Sequence, residues 1–160
     1  MKNTPIPPGF LLSHPAHFTA LGFGTGLSRV APGTVGTLVG LPLFLLLRDL
    51  AFPVQLLVLA GLFVVGCHIC DVAGQALGVP DHGGIVWDEI VAYAMLLTAM
   101  PQSWGWWIGA FVAFRFFDIL KPPPIGWLDR RFKNGFGVML DDLMAAAYAI
   151  AVLVLIRNLI

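Results

Sequence analysis

The sequence predicts an all-α fold seated in a membrane, a compact bundle of about five apolar helices. Three observations predict it. Of the 160 residues, 58% are hydrophobic and 11% charged, less than half the roughly 25% charged in an average soluble protein; mean hydropathy is +0.86. Apolar segments recur at 35–47, 53–77, 86–100, 104–120 and 139–156, separated by Gly and Pro, as helices broken by turns would be. The charges gather at the ends of these segments. At this length one domain is expected, spanning 1–160, with 1–21 as an interfacial N-terminal segment.

The same numbers exclude several classes. Nine basic and nine acidic residues cancel, leaving no basic face to grip nucleic acid. The first ten residues, MKNTPIPPGF, hold three prolines and no continuous apolar core, so they do not read as a cleaved signal peptide and the chain is expected to start near Met1. Cys67 and Cys70, in CHIC, have the CxxC spacing of redox and zinc sites but no second pair of ligands. They read as small core or lipid-facing residues.

Taken in order, the first element is a Gly-rich stretch, GFGTGLSRVAPGTVGT at 22–37. Its irregular backbone could not be satisfied against lipid, so it should line a polar cavity or lie at the interface. Of the five apolar segments, the second and fifth reach or approach the roughly 20 residues needed to cross a bilayer; the first, third and fourth are shorter and could be tilted, partial or buried in the bundle. Trp104, Trp106 and Trp107 fit an aromatic belt at one interface, with Trp127 at the other.

If all five segments span, Lys2, Arg29, Lys121, Arg130, Arg131 and Lys133 fall on one side and only Arg48 and Arg157 on the other. The positive-inside rule puts the first side in the cytoplasm. Six of the nine carboxylates arrive there too: Asp88 and Glu89 at the start of the third helix, Asp118 at the end of the fourth, Asp129 in the basic loop, and Asp141 and Asp142 at the start of the fifth. Acids in a first turn complement the helix dipole, which would account for two pairs without an active site. It does not account for Asp118, where a negative charge opposes the dipole and needs Arg115 at i−3 and Lys121 at i+3.

That trio alone could be a structural ion pair. The two further acidic pairs then need counter-charge, and a divalent cation supplies it; magnesium prefers carboxylate, water and phosphate oxygens. Adjacent helical residues diverge by about 100°, so one member of each pair should aim inward. Asp142 shares a stripe with the small residues Ala145, Ala146 and Ala149 and is the inward choice; between Asp88 and Glu89 the pattern does not decide. Asp88, Glu89, Asp118 and Asp142 are therefore the candidate catalytic and metal-binding residues, with Asp129 and Asp141 secondary. Arg115 and Lys121 are candidate phosphate contacts. Thr34, in the Gly-rich stretch where backbone N–H groups could meet an anion, and His82, in PDHGGIVWDE, are candidate substrate contacts.

GFGTGLSRVAPGTVGTL, DHGGIVWDE, FRFFDILKPPPIGWLD and GFGVMLDD, in this order and spacing, resemble the phosphatidylglycerophosphatase A family, from about Gly22 to the C-terminal helix. The resemblance implies a magnesium-dependent bacterial enzyme of the inner membrane, multi-pass, that removes the terminal phosphate of phosphatidylglycerophosphate to give phosphatidylglycerol. It also implies a central helix surrounded by others. By position, Asp88, Glu89, Arg115, Asp118, Lys121, Asp129, Asp141 and Asp142 match the family's charged residues; Ala146 stands where glycine is expected. One metal or two, and attack by water or by an aspartate, stay open, as does oligomeric state. The alternative from another class is a small transporter or channel subunit using the acids as an ion path, which would distribute polar residues through the membrane depth.

Overall fold

The computed structural model describes residues 5–159, and all regular structure among them is helical: α1 Phe10–Ser13, α2 Pro15–Ala20, a 3-10 segment Gly22–Leu27, α3 Pro32–Leu47, α4 Phe52–Leu77, α5 Trp87–Thr98, α6 Trp104–Leu120, α7 Ile125–Arg131 and α8 Gly135–Leu159. Lys2 lies outside the described residues. Two helices, α4 with 26 residues and α8 with 25, are long and apolar enough to cross a membrane.

Local chemistry sets the ends. Pro53 lies in the first turn of α4, where its missing N–H costs nothing, and Gly78 closes the helix at φ 69°. The tight turn between α3 and α4 is held by Gln55, whose side chain donates to the carbonyls of Arg48 and Leu50 at 3.2 and 2.8 Å. At the other end of the bundle, the Val86 N–H donates to the Ala20 carbonyl at 2.9 Å, tying the N-terminal helices to the entrance of α5.

α5 packs against α3, α4, α6 and α8, and nearly its whole length is buried. Exposed large apolar side chains instead mark the outer faces of α3, α4, α6 and α8, among them Leu46, Leu57, Val64, Val112, Ile119 and Leu155. A water-soluble protein rarely exposes so many large apolar side chains; hydrocarbon is their natural solvent. Ala145, Ala146 and Ala149 are fully buried, so α8 approaches its neighbours along the small-residue stripe anticipated from sequence.

Two expectations need correction. Trp107 is not part of an interfacial belt: it is buried, its ring 5.9 Å edge-on from Phe44, and its carbonyl accepts from the Tyr93 hydroxyl at 2.9 Å. Trp104 and Trp127 remain exposed. The fifth apolar helix does not begin near Met139. It begins at Gly135, with the Asn134 side chain accepting from the Gly137 N–H at 3.0 Å as an N-cap would. Gly135 reads as a breaker in sequence, yet here it serves contact: a Cβ would strike the Cys67 carbonyl of α4. Asp141 and Asp142 therefore lie well inside α8, and the helix-dipole account does not apply to them.

Candidate functional site

A cavity of about 550 Å³ opens where α5 begins, α6 ends and α8 has completed its first turns. Six carboxylates line it, Asp81, Asp88, Glu89, Asp118, Asp141 and Asp142, with Arg115 and Lys121. Each arrives for a local reason. Asp88 and Glu89 occupy the first turn of α5. Arg115 and Asp118 are one turn apart on α6. Lys121 caps that helix in the left-handed region at φ 43°, followed by Pro122, which cannot continue it. A non-glycine residue in that conformation costs on the order of 1 kcal/mol, which its ion pairs offset.

The charges divide into two groups. Arg115 Nη1 lies 2.7 Å from Asp118 and 3.5 Å from Glu89, and it donates to the Thr37 hydroxyl at 3.4 Å. Lys121 Nζ pairs with Asp141 and lies 3.3 Å from Asp129, which Lys133 also approaches at 3.6 Å. Burial works against the Lys121 charge, but the Asp141 carboxylate, with Asp129 behind it, more than compensates and holds the ammonium's pKa above the ordinary lysine value. Asp118, Asp129 and Asp141 are thus engaged by side-chain cations.

In the second group, Asp88, Glu89 and Asp142, only Glu89 meets a described cation, through Oε1 at 3.5 Å from Arg115. Asp88 Oδ1, Glu89 Oε2 and Asp142 Oδ2 are buried and have no hydrogen-bond partner, and these same three residues place ligand oxygens within 4.8 Å of one another. A buried acceptor left unpaired costs about 1–3 kcal/mol, and more if charged. Three neighbouring carboxylates, each with such an atom, are what a cation would satisfy. The donors are all carboxylate oxygens, without histidine or cysteine, which suits magnesium, calcium or manganese better than zinc.

The cavity gathers most of the residues singled out from sequence. Asp88, Glu89 and Asp142 form the unpaired cluster; Asp118 and Asp141 line the cavity beside it, and Arg115 and Lys121 reach in as cations. Lys121 pairs with Asp129 and Asp141 rather than with Asp118. Both members of both acidic pairs line the cavity; of the second pair Asp142 joins the cluster with Asp88 and Glu89, while Asp141 pairs with Lys121. The cavity sits over the end of α5 rather than along one face, so neighbouring side chains can bend toward it. His82 lines an adjoining cavity, its Nδ1 accepting from the Gly84 N–H at 3.0 Å. Thr34 is half-buried in the first turn of α3 and lines neither cavity.

Three residues were missed from sequence. Thr37 is fully buried, donates to the Gly33 carbonyl at 2.7 Å and accepts from Arg115; a lone hydroxyl in the apolar run VGTLVG was its signal. Gly33 brings the α3 backbone against the site, where a Cβ would strike Glu89 Oε1 and lie 3.2 Å from Arg115 Nη1. Asp81 stands beside His82 in the loop before α5, and an acid next to a singled-out histidine was visible.

A family profile described as Phosphatidylglycerophosphatase A matches residues 18–157. A Haemophilus influenzae protein named phosphatidylglycerophosphatase A is 46% identical over 158 residues, covering 98% of this chain and 96% of its own. An Escherichia coli protein of the same name is 39% identical over 148 residues, 92% of this chain and 86% of its own. A Bacteroides thetaiotaomicron protein, provisionally named a phosphatidylinositol-3-phosphatase, is 35% identical over 149 residues, 85% of this chain and 89% of its own. No solved structure matches.

Proposed function

The chain belongs to the phosphatidylglycerophosphatase A family, and we propose that it hydrolyses the terminal phosphomonoester of phosphatidylglycerophosphate, releasing phosphate and leaving phosphatidylglycerol in the bilayer. The observation that carries this reading is the trio of unpaired, buried carboxylate oxygens on Asp88, Glu89 and Asp142, set beside two fixed cations in one cavity.

Asp88, Glu89 and Asp142 would hold magnesium, with Asp118 in the same cavity acting through Arg115, and Asp129 and Asp141 acting through Lys121. Bound there, the ion would polarise phosphoryl oxygens and lower the pKa of a water it carries. Arg115 and Lys121 supply the remaining positive charge. Phosphoryl transfer develops charge on the equatorial and leaving oxygens, and fixed cations stabilise it without reorganising during the step. Arg115 is held from three sides by Asp118, Glu89 and Thr37, so its guanidinium is preorganised. Lys121 stays protonated, and acts as a charge rather than as a base.

On this reading α3, α4, α5, α6 and α8 form one membrane-embedded bundle with α5 at its centre, and residues 1–21 lie at the interface. Arg29, Lys121, Arg130, Arg131 and Lys133 favour the cytoplasmic side of a bacterial inner membrane for the site. The lipid's acyl chains stay in the leaflet while its head group enters the cavity.

The test is phosphate release from phosphatidylglycerophosphate by purified protein in detergent. Release with magnesium, its loss on chelation and its recovery on re-addition are expected. Absence of release under every divalent cation tried would sink the reading.

A further inference from the structure

A second cavity, of about 670 Å³, adjoins the acidic one; Pro32 and Gly83 line both. Its chemistry is the opposite. Among the described residues no carboxylate lines it, and its charged or ionisable side chains are Arg29 and His82. Arg29 is exposed and has no ion-pair partner among the described residues, whereas Arg115 and Lys121 are both engaged by carboxylates. Its backbone is brought close by the turn between the 3-10 segment and α3, where Ala31 adopts φ 45° just before Pro32.

Resting on the function proposed above, we infer that Arg29 binds the internal phosphodiester of the lipid head group, making this cavity a specificity subsite. The substrate carries two phosphates joined by a three-carbon glycerol bridge. The terminal one belongs over the unpaired carboxylates with their cation. The internal one keeps its negative charge and cannot share that space, where six carboxylates face two basic side chains. The adjoining cavity offers what it needs: a cation able to grip two phosphate oxygens at once, no repelling carboxylate among its described lining, and a shared wall across which a glycerol bridge can pass. The exit is marked as well. Leu27 lines this cavity and is 45% exposed, and Val30, next to Arg29, is 78% exposed. Apolar side chains flanking a cation at an interface suit a lipid whose diester lies at the surface and whose chains continue into hydrocarbon.

The experiment compares wild type, Arg29→Gln and Arg29→Lys in uncharged mixed micelles, with magnesium fixed. It reads KM and kcat for phosphatidylglycerophosphate, and KI for inorganic phosphate, which mimics only the terminal group. Expected for Arg29→Gln is a roughly tenfold rise in KM, with kcat and the phosphate KI unchanged, and partial recovery in Arg29→Lys. An unchanged KM overturns the inference. So does a phosphate KI that rises in parallel, because Arg29 would then act on the terminal group or through the general field. Failure of the parent reading looks different: the wild type itself would release no phosphate.

Discussion

Asp142→Asn should separate activity from stability in opposite directions. The substitution keeps size and shape and removes one charge from a buried group whose Oδ2 has no partner. Ligand oxygens of Asp88, Glu89 and Asp142 lie within 4.8 Å of one another; at that separation and an effective dielectric of about 20, each ionised pair repels by about 3 kcal/mol. Without metal this repulsion is relieved by proton uptake or stored as instability, and a neutral amide at this position lessens the need for either. The metal-free variant should therefore melt at or a few degrees above wild type. With magnesium the order reverses: a ligand at 100 times its Kd stabilises the wild type by about 2.7 kcal/mol, and the variant should gain little. Turnover should drop at least about 100-fold, since a ligand and its charge go together. The assay is thermal unfolding in detergent with and without magnesium, beside phosphate release. A variant that melts lower without metal, gains as much from magnesium as wild type, and keeps its turnover would refute the reasoning and make Asp142 an ordinary structural acceptor.

Three further outcomes are expected. Gly33→Ala places a methyl against Glu89 and Arg115, and should cut turnover at least about tenfold while the protein still expresses and inserts; full activity would show that α3 yields easily there. Lys121→Met should lose activity and also stability. A lysine whose pKa is raised on folding contributes stability that is complete below the ordinary value, about 10.4, and is lost as pH climbs through the folded one. The melting difference between wild type and Lys121→Met should thus stay level from about pH 7 to 9 and shrink only above about 10.4; a decline between 7 and 9 would contradict it. Finally, on a background with Cys67 and Cys70 replaced, Lys133→Cys should react with an impermeant thiol reagent only in inside-out vesicles and Asp49→Cys only in right-side-out ones. The reverse pattern would invert the topology.

The helices were legible in the sequence because hydrophobic runs and their Gly and Pro punctuation act locally. Segment 104–120 coincides with α6, and 53–77 differs from α4 by one residue. Gly135 and Gly137 misled because a glycine signals a turn and a close contact alike, and only the neighbouring α4 reveals which applies. Trp107 misled for a similar reason: three tryptophans in four residues look interfacial, but a helix turns by about 100° per residue and must aim one of them inward. Most of the charged residues that line the cavity were visible as charges in an apolar chain. Its internal division was not, because whether Lys121 meets Asp118 or Asp141 depends on a left-handed cap and on how far α8 extends below Asp141, and neither is written in the local pattern.

Helix lengths say how deep the cluster lies. At about 1.5 Å per residue, α5, with its 12 residues, is about 18 Å long, well short of a hydrocarbon layer of about 30 Å. If its C-terminal end reaches the interface marked by exposed Trp104, then Asp88 and Glu89 stop about 14 Å short of the opposite one. α8 gives a similar answer if Gly135 lies at that interface: Asp142 follows it by two turns, or about 10 Å of rise. On the proposed orientation, short α5 and long α8 would place their acids at similar depth, below the surface where Arg130 and Arg131 would sit. Bare carboxylates at that depth would be costly; the arrangement would lower that cost through the cavity that reaches them and a cation held by Asp88, Glu89 and Asp142, as proposed above. It also explains why a lipid phosphatase needs no pocket for acyl chains: the leaflet holds the chains beside the bundle, and the head group has only to turn inward past Arg29 to bring its terminal phosphate down to the cluster.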